Sequence, residues 1–447
     1  MRNILVRFIL GYLRFFAQIQ IKKINPIIIG VGGSSGKSSL CELITIALSG
    51  TYTVKQGKGK NSETGIPLDI LGITMHSYGP IDWLKVLFSA PARIITNWQR
   101  YEVYVVEMGI DSPVEPKNMS YLLKIIQPTF AVTTNISLEH TQYFDKLVLE
   151  KDETKRKEKL LALTKEQEML LLKSLPKAGT AVVNIDDAQI AHEHKSIRAK
   201  QLTISLTNSD TDIYAKKIGI GLDLFTLTFV VKKPTFQEYT MSIPALLPKH
   251  YASSFLSTIA ICQIFDVDLP KVITLLEKNF SLPPGRSTVF KGIKQTMIID
   301  SSYNNATLPP ILDMLDLLKI VGGKRRRIAI IGDMRELGTM SKLSHEIVAN
   351  KVLKTVDQVI LIGPLMREYV APILERNKFP YQSYQTFTQA KEKILGTIKS
   401  NDLILVKSSQ NALFLERVVE MLLADKKDKD KLCRRGSFWD ERRKQTP

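Results

Sequence analysis

The sequence predicts an α/β protein with two main domains: a central domain whose parallel-rich sheet carries a P-loop, and a smaller Rossmann-like C-terminal domain. Three observations predict this class. A chain of 447 residues is too long for one hydrophobic core. Short apolar runs alternate with helical patterns, which is typical of parallel sheets. The glycine-rich stretch GVGGSSGKSSL at 30–40 lies between the first apolar run and the first helix after it.

The composition describes a soluble, basic protein. Hydrophobic residues make up 44% of the chain, as in ordinary globular proteins. The net charge is +18, but the basic residues are spread along the chain, so we expect no nucleic-acid partner. Cys41, Cys262 and Cys433 are far apart, which argues against a disulfide framework or zinc site and suits a reducing compartment. We expect a cytoplasmic protein, and a monomer.

Residues 1–25 form an N-terminal segment with an amphipathic helical pattern. Arg7 and Arg14 interrupt its apolar residues, so it lacks the ~18 consecutive apolar residues of a membrane-spanning helix. Asn3 and Gln18 share a helical stripe with the two arginines, and the rest of the surface is apolar. Two interpretations stay open: a helix packed on the body of the protein or on a partner, or an interfacial helix on the inner membrane leaflet.

The central domain is predicted to span residues 26–283. Its stretch at 145–160 mixes many acids and bases, which predicts a solvated helix or a surface excursion. The apolar runs predict strands at 27–31, 102–106, 129–133 and 180–184, with helices at 38–48 and 250–265.

A turn-forming LPPGR segment at 282–286 separates this domain from a Rossmann-like domain at 284–425. Residues 426–447 are predicted to be a charged tail. In the second domain the pattern predicts strands at 296–300, 327–331, 358–362 and 402–406, with helices at 308–318, 344–352 and 412–423.

The loop after the first strand has the residue types that a nucleotide phosphate site requires. Gly33 and Gly36 allow close backbone approach, and N–H groups at the start of the next helix favour an anion. Lys37 can reach the β- and γ-phosphates, and Ser38 has the hydroxyl that binds Mg²⁺ in such loops. Val31 stands where the strict P-loop pattern has glycine. Other residues of the chain must therefore decide whether this loop binds phosphates or is only a glycine-rich turn.

Two strand ends supply further candidate ligands. Glu107 ends the apolar run VVE, and His140 follows the run that leads into TTNISLEH. Because the carboxyl ends of parallel strands meet at one edge of a sheet, we expect both side chains near Ser38. A hydroxyl, a carboxylate and an imidazole there predict one Mg²⁺ site shared with the nucleotide oxygens.

Nine motifs stand in the order found in the Mur ligase family, and the chain most resembles its MurF type. The resemblance covers residues 25–425, and the pair IDSSYN and GDMRELG, with His345 downstream, favours that type. The motifs are GGSSGKSS (32–39), NSETGIPL (61–68), VVEMG (105–109), TNISLEH (134–140), AVVNIDD (181–187), PGR (284–286), IDSSYN (299–304), IGDMRELG (331–338) and VKSSQ (406–410).

The resemblance implies an ATP-dependent amide ligase that uses Mg²⁺ and works on small molecules. Such enzymes phosphorylate a substrate carboxylate and then let an amine displace the phosphate. The MurF type adds D-Ala-D-Ala to a UDP-MurNAc-peptide in peptidoglycan precursor synthesis. Another amide ligase of the superfamily, folylpolyglutamate synthase-like or amidotransferase-coupled, stays an alternative. So does a degenerate nucleotide-binding protein without turnover.

The resemblance also implies roles residue by residue. Lys37, Glu107, His140, Arg286 and Lys165 match catalytic positions, and Ser38, Glu107 and His140 match metal positions. The nucleotide positions are Gly33, Ser34, Ser35, Gly36, Lys37, Ser38, Ser39, His250, Arg286 and Asp300. The substrate positions are Asn61, Thr64, Tyr303, Asn304, Lys407 and Ser409.

Three departures from the family pattern carry expectations of their own. Lys165 is the candidate for the family's carbamylated lysine, and Gln167 is the alternative occupant of that position. HYASS at 250–254 lacks the two asparagines that the family places near adenine. MurF-type enzymes begin with a UDP-binding domain, whereas only residues 1–25 precede the first strand. We therefore expect the uridine end to be held in another way, or the substrate to differ.

Overall fold

A computed structural model describes residues 2–75, 79–138, 142–303, 308–335, 337–409 and 413–446. The fold is α/β, as predicted, and the chain forms two compact units. The first unit consists of residues 1–217, 227–241 and 252–280. The second unit consists of residues 218–226, 242–251 and 281–447. Each unit is therefore assembled from three separate segments of the chain.

Strands and helices alternate through the first half of the described chain. The helices up to residue 280 are α1 Arg2–Ile24, α2 Lys37–Leu48, α3 Gly65–Leu71, α4 Pro80–Thr96, α5 Met119–Ile125, α6 Gln142–Asp145, α7 Glu153–Lys173, α8 Ala188–Glu193, α9 His250–Ile264 and α10 Leu269–Asn279. The strands in this stretch are β1 Ile27–Gly32, β2 Val54–Gln56, β3 Val103–Glu107, β4 Phe130–Thr133, β5 Thr180–Asn184, β6 Lys200–Ser205, β7 Ile213–Ile220, β8 Phe225–Val231 and β9 Gln237–Ile243.

These strands form a sheet in the order β2-β3-β1-β4-β5-β6-β7-β8-β9. The pairs from β2 to β7 are parallel. All five residues of β3 are buried, as expected for a strand covered by helices on both faces. β1 lies between β3 and β4, with Val31 opposite Glu107 and Gly32 opposite Thr133. The loop after β1 therefore emerges beside the carboxyl ends of both neighbours.

The second unit has a six-stranded sheet in the order β10-β11-β15-β12-β13-β14. β10 is antiparallel to β11, and the other pairs are parallel. Its strands are β10 Thr288–Lys291, β11 Met297–Ser301, β12 Arg327–Gly332, β13 Gln358–Ile362, β14 Tyr381–Tyr384 and β15 Leu403–Lys407. Its helices are α11 Leu308–Gly322, α12 Ser341–Thr355, α13 Ala371–Arg376, α14 Phe387–Thr397, α15 Glu416–Leu422 and α16 Ser437–Lys444.

Of the two charged stretches, the one at 145–160 is a largely exposed segment that enters a helix, as expected, whereas the tail is more ordered than its charge suggests. Between 145 and 160, helix α7 begins only at Glu153, where Asp152 caps it by accepting from Lys155 N. The charged tail is folded: it contains α16, and its Leu432 and Arg434 are buried in the second unit. Charge alone did not predict this burial, because the charges on the buried side chains are paired inside the unit.

Candidate nucleotide-binding site

The loop between β1 and α2 has a backbone that two glycines make possible. Gly33 has a φ of 115° and Gly36 a φ of 79°, values that side chains with a Cβ rarely adopt. A Cβ on Gly33 would lie 2.1 Å from Thr134 Oγ1, so Gly33 also permits a close approach to the segment after β4. Gly36 stands immediately before Lys37, the first residue of α2.

The segment after β4 holds the loop in place. Ser34 N donates to Asn135 O at 2.9 Å, and Ser34 Oγ donates to Ser137 O at 2.9 Å. Ser35 N donates to Asn135 Oδ1 at 3.0 Å. Thr134 Oγ1 donates to Ser35 O at 2.6 Å. The TNIS part of the fourth motif thus acts as a scaffold for the loop.

Lys37 folds back over this loop. Its Nζ donates to Gly33 O at 2.5 Å and to Ser34 O at 3.2 Å. The ammonium is therefore held beside the loop backbone and next to the N-terminus of α2, where an anion is favoured. Ser39 lies in the first turn of the same helix.

Ser38, Glu107 and Asn61 form a hydrogen-bonded chain at the carboxyl end of β3. Ser38 Oγ donates to Glu107 Oε2 at 2.7 Å, and Asn61 Nδ2 donates to Glu107 Oε1 at 3.0 Å. Glu107 is 8% exposed, whereas Ser38 is exposed. Thr64, just before α3, lies 3.3 Å from Ser62 through the two hydroxyl oxygens. The structure thus brings together three of the predicted side chains from three separate motifs.

Glu168 is a residue of this site that the sequence reasoning missed. Its Oε2 accepts from Gly33 N at 2.7 Å, and the side chain is 3% exposed. Burial raises the pKa of Glu168 to about 7, although Lys37 and the Gly33 N–H both act to lower it. The available signal was an acid inside the apolar run EMLLL of a helix, since acids are seldom fully buried without a partner.

Lys165 has a different environment from the loop residues. Its Nζ forms an ion pair with Glu193 at 2.9 Å, and Glu193 also pairs with Lys173 at 2.5 Å. Gln167 is buried, and its Oε1 accepts from Met119 N at 3.2 Å. Within α7 it is Glu168, rather than Lys165 or Gln167, that hydrogen-bonds to the glycine loop.

In the second unit, predicted residues meet at the carboxyl ends of β11 and β15. Asp300 and Lys407 are fully buried, and Ser301 lies opposite Lys407 in the strand register. Asp300 Oδ1 accepts from Ser302 N at 3.0 Å, and burial raises the pKa of Asp300 to about 6. Ser409 follows β15 and is 5% exposed. This edge of a parallel sheet is where ligands bind in such folds.

Other predicted residues of the second unit lie near the turn at 284–286 and in the short segment 242–251. Tyr303 N donates to Gly285 O at 3.1 Å, next to Arg286, which is half-buried and whose Nε atom is buried. His250 Nδ1 pairs with Asp313 Oδ2 at 2.7 Å, and its ring stacks on Tyr251 with centroids 4.9 Å apart. His140 and Asn304 lie outside the described residues.

The tail adds a buried cation beside Asp300 and Tyr303. Arg434 pairs with Glu416 at 2.5 Å, with the two side chains 1% and 0% exposed. Its Nη2 also donates to Ser302 O at 3.1 Å, and its guanidinium lies 5.5 Å from the centre of the Tyr303 ring. Nothing in the resemblance pointed to this residue, because the tail lies beyond the last motif.

A parallel sheet whose first strand leads through a glycine loop into a helix, with a lysine over the loop and a serine–glutamate pair beside it, defines a P-loop nucleotide-binding protein. The chain belongs to the Mur ligase family. The Mur ligase middle domain matches residues 31–262, and the Mur ligase glutamate ligase domain matches residues 285–410.

Two curated relatives share one ligase name, and two of the solved structures that this chain resembles in fold are MurF enzymes. A UDP-N-acetylmuramoyl-tripeptide–D-alanyl-D-alanine ligase of Buchnera aphidicola is 24% identical, over 90% of this chain and 76% of the relative. The enzyme of that name from Synechocystis is 26% identical, over 89% of this chain and 75% of the relative. The MurF ligase from Thermotoga maritima in complex with ADP has a TM-score of 0.72 at 21% identity, covering 94% of this chain and 84% of that one. MurF from Acinetobacter baumannii also has a TM-score of 0.72, at 16% identity, covering 92% of this chain and 79% of that one.

Proposed function

We propose that this chain is an ATP-dependent amide ligase that joins D-alanyl-D-alanine to a UDP-N-acetylmuramoyl peptide in peptidoglycan precursor synthesis. The observation that carries the proposal is the set of Lys37, Ser38 and Glu107 around one glycine loop in a Mur ligase chain. The names of the curated relatives support the substrates. The ADP complex of the T. maritima enzyme supports ATP as cosubstrate.

The reaction proceeds in two transfers. A carboxylate oxygen of the peptide attacks the γ-phosphorus of ATP, ADP leaves, and an acyl phosphate forms. The amino group of the incoming dipeptide then attacks the acyl carbon and gives up a proton. The tetrahedral intermediate breaks its bond to the phosphate oxygen, so inorganic phosphate leaves and an amide remains. Catalysis of such transfers rests on positioning and on neutralising charge.

In this proposal the residues of the chain bind and orient the reactants. Lys37 and the loop N–H groups hold the phosphates, because the ammonium already lies over the loop. Arg286 faces the γ-phosphate, and Asp300 contacts the ribose. Lys407 binds the acceptor together with Ser409, while Asn61 and Thr64 line the active site with Tyr303 and Asn304.

The residues around Ser38 fit Mg²⁺. Ser38 Oγ and Glu107 Oε2 are 2.7 Å apart, and oxygen ligands of this kind are those that Mg²⁺ prefers. Among the described residues no group of three or more His, Cys, Asp and Glu side chains gathers as a metal cluster. We propose that Ser38, Glu107 and His140 hold the ion together with nucleotide oxygens. Bound Mg²⁺ would neutralise charge on the phosphates.

One observation favours a second candidate. Because Lys165 pairs with Glu193, the carbamylated lysine of the family has no confirmed counterpart in this chain. A nucleotide-binding protein that lacks turnover would tolerate that arrangement. A related amide ligase with another acceptor is the third candidate, and it differs from the first only in its substrates.

The experiment is phosphate release by the purified protein. We expect release from ATP only when a UDP-muramoyl peptide and D-Ala-D-Ala are both present. Lys37→Ala removes the ammonium beside the loop, so turnover should fall by at least about a hundredfold. Lys177→Ala is the matched control, because Lys177 is exposed. Turnover that survives Lys37→Ala would refute the loop assignment. Binding of ATP without release under any acceptor would favour the second candidate.

We also propose that helix α1 gives the enzyme a peripheral membrane contact. One side of α1 packs on the first unit, with Leu13 and Ala17 fully buried, and the other side exposes Phe8 and Phe15. Within the described residues, no helix is long and apolar enough to cross a bilayer. The contact that we propose lies at the surface of the membrane, through the exposed side of α1. We propose no nucleic-acid partner, and a monomer.

A further inference from the structure

Two helices of the first unit expose large apolar side chains in regular stripes. The exposed fractions run from 36% at Ile19 to 74% at Ile95. Residues three and four apart share one side of a helix, so each stripe is continuous. We call these residues the outer apolar face: Leu5, Phe8, Phe15 and Ile19 of α1, Ile81, Leu84, Phe88 and Ile95 of α4, and Trp98 just after α4.

The two helices are fixed side by side. Tyr12 Oη donates to Leu87 O at 2.6 Å, and Lys23 Nζ donates to Ile94 O at 2.8 Å. Their opposite sides share one hydrophobic cluster, in which Leu13 of α1 meets Val86 of α4. Because both helices bury their inner sides in the same cluster, their outer stripes lie next to each other. The outer apolar face is therefore one surface rather than two.

The two helices that form this surface carry mostly positive charge. Helix α1 contains no acidic residue, and α4 contains only Asp82. The ammonium of Lys23 lies 4.0 Å from the centre of the Trp98 ring, so a cation and an indole stand together at one end. The exposed cations of these two helices and the turn after α4 are Arg7, Lys22, Lys23, Lys85, Arg93 and Arg100.

We propose that the outer apolar face docks on the surface of a bilayer that contains anionic lipids. Apolar side chains enter the boundary between headgroups and acyl chains, while lysines, arginines and Trp98 stay at headgroup level. A second copy of this chain is the poorer occupant, because a symmetric contact would bring these cations against each other. This proposal rests on the membrane contact proposed above for α1. It extends that contact to α4 and specifies anionic lipids as the partner.

The test is sedimentation of the full chain with vesicles. We expect binding to vesicles of phosphatidylcholine mixed with phosphatidylglycerol, and at least about tenfold weaker binding to phosphatidylcholine alone. Added salt should release the protein, because it screens exposed charges. Equal binding to both vesicles would overturn the lipid class.

Substitutions separate the contribution of α4 from that of α1. Phe88→Asp in α4 and Phe8→Asp in α1 should each weaken binding at least about tenfold, because each places a charge in the apolar stripe. Leu149→Asp is the matched control, since Leu149 is 90% exposed and lies outside the outer apolar face. Circular dichroism and the thermal midpoint verify that each variant is folded.

Each further outcome has one meaning. Loss with Phe8→Asp alone would keep the contact through α1 and overturn the two-helix surface. No loss with either variant would overturn both. If the protein does not bind vesicles, and light scattering shows a dimer that Phe88→Asp dissociates, the outer apolar face binds a second copy of the chain instead. Ligase turnover does not enter the assay, so the outcome is independent of the proposed reaction.

Discussion

At the scale of single residues, the unexpected feature is an acid beneath the glycine loop. Glu168 accepts from Gly33 N and lies near Lys37 while it is almost fully buried. Burial makes the ionised form of Glu168 unfavourable, and its interactions with Gly33 N and Lys37 offset this penalty only in part. The pKa of Glu168 therefore rises to about 7. The shape of the loop is thus coupled to one protonation event.

Replacing Glu168 by Gln should change how stability depends on pH. A carboxyl whose pKa is raised from 4.5 to about 7 in the fold contributes stability that is complete below pH 4.5. That contribution is lost as pH rises through about 7, and the loss is on the order of 3 kcal/mol. The variant should lack this decline, which urea unfolding at a series of pH values measures. Glu166→Gln is the control, because Glu166 is exposed in the same helix. Parallel pH curves for wild type and Glu168→Gln would contradict the expectation.

Lys165 gives a second prediction at this scale. A carbamylated lysine is an anion, and in this structure it would face the carboxylate of Glu193, which now pairs with the ammonium. We therefore expect Lys165→Ala to keep turnover within about threefold, since partly exposed ion pairs contribute little. Rates with and without added bicarbonate provide the measurement. A large loss that depends on bicarbonate would establish the catalytic role that the resemblance implies.

At the scale of elements, the charged tail is part of the fold of the second unit. Its Leu432 joins the hydrophobic cluster around Ile298 and Ile330. Arg434 reaches Glu416 at the start of α15, and Arg443 of α16 lies 3.7 Å from the same carboxylate. Helix α16 and the turn before it are thus attached to α15 through the buried acid Glu416 and the cations Arg434 and Arg443.

Breaking this attachment should destabilise the second unit. Arg434→Met leaves the buried carboxylate of Glu416 without its shortest ion pair, while Arg443 stays 3.7 Å away, at a cost of about 3 kcal/mol. The double variant Arg434→Met/Glu416→Leu should regain most of that loss, because neither charge is then left uncompensated. Chemical unfolding of both variants tests the pair.

The control for that prediction lies in the same tail. Lys431 pairs with Asp428, but its side chain is 71% exposed. Lys431→Met should therefore leave the free energy of unfolding nearly unchanged, because solvent screens the exposed ion pair. A loss as large as that of Arg434→Met would show that the tail responds to any substitution, rather than to the buried pair.

At the scale of the whole molecule, the apolar runs were sufficient to predict the α/β class and the core strands. The strands predicted at 180–184 and 358–362 coincide with β5 and β13, because a buried parallel strand is a continuous apolar run between turns. The strands β7 to β9 were missed, since β7 and β9 are half exposed and mix polar with apolar residues. Helix α4 was missed as well, because two prolines and exposed apolar residues obscure its period.

The candidate site was predictable where its residues follow strands. Ser38 and Glu107 come from two motifs, and the parallel sheet brings them within hydrogen-bonding distance. Glu168 left only one signal, an acid within the apolar run EMLLL, and Arg434 left none, because the position of each depends on how a helix or the tail packs. Sequence spacing carries no signal for that packing when the element lies outside the motifs.

The chain passes between the two units five times, at 217/218, 226/227, 241/242, 251/252 and 280/281. Leu246, from one of the short segments, is buried in the same cluster as Ile299 and Leu315 of the second unit. Ile220 and Leu222, from the other short segment, pack against that cluster. A gene fragment that starts after residue 280 therefore encodes a second unit with part of its interior missing. The first unit, cut there, retains apolar loops that belong to its neighbour. Shortened versions of this protein are best made by joining segments, not by a single truncation.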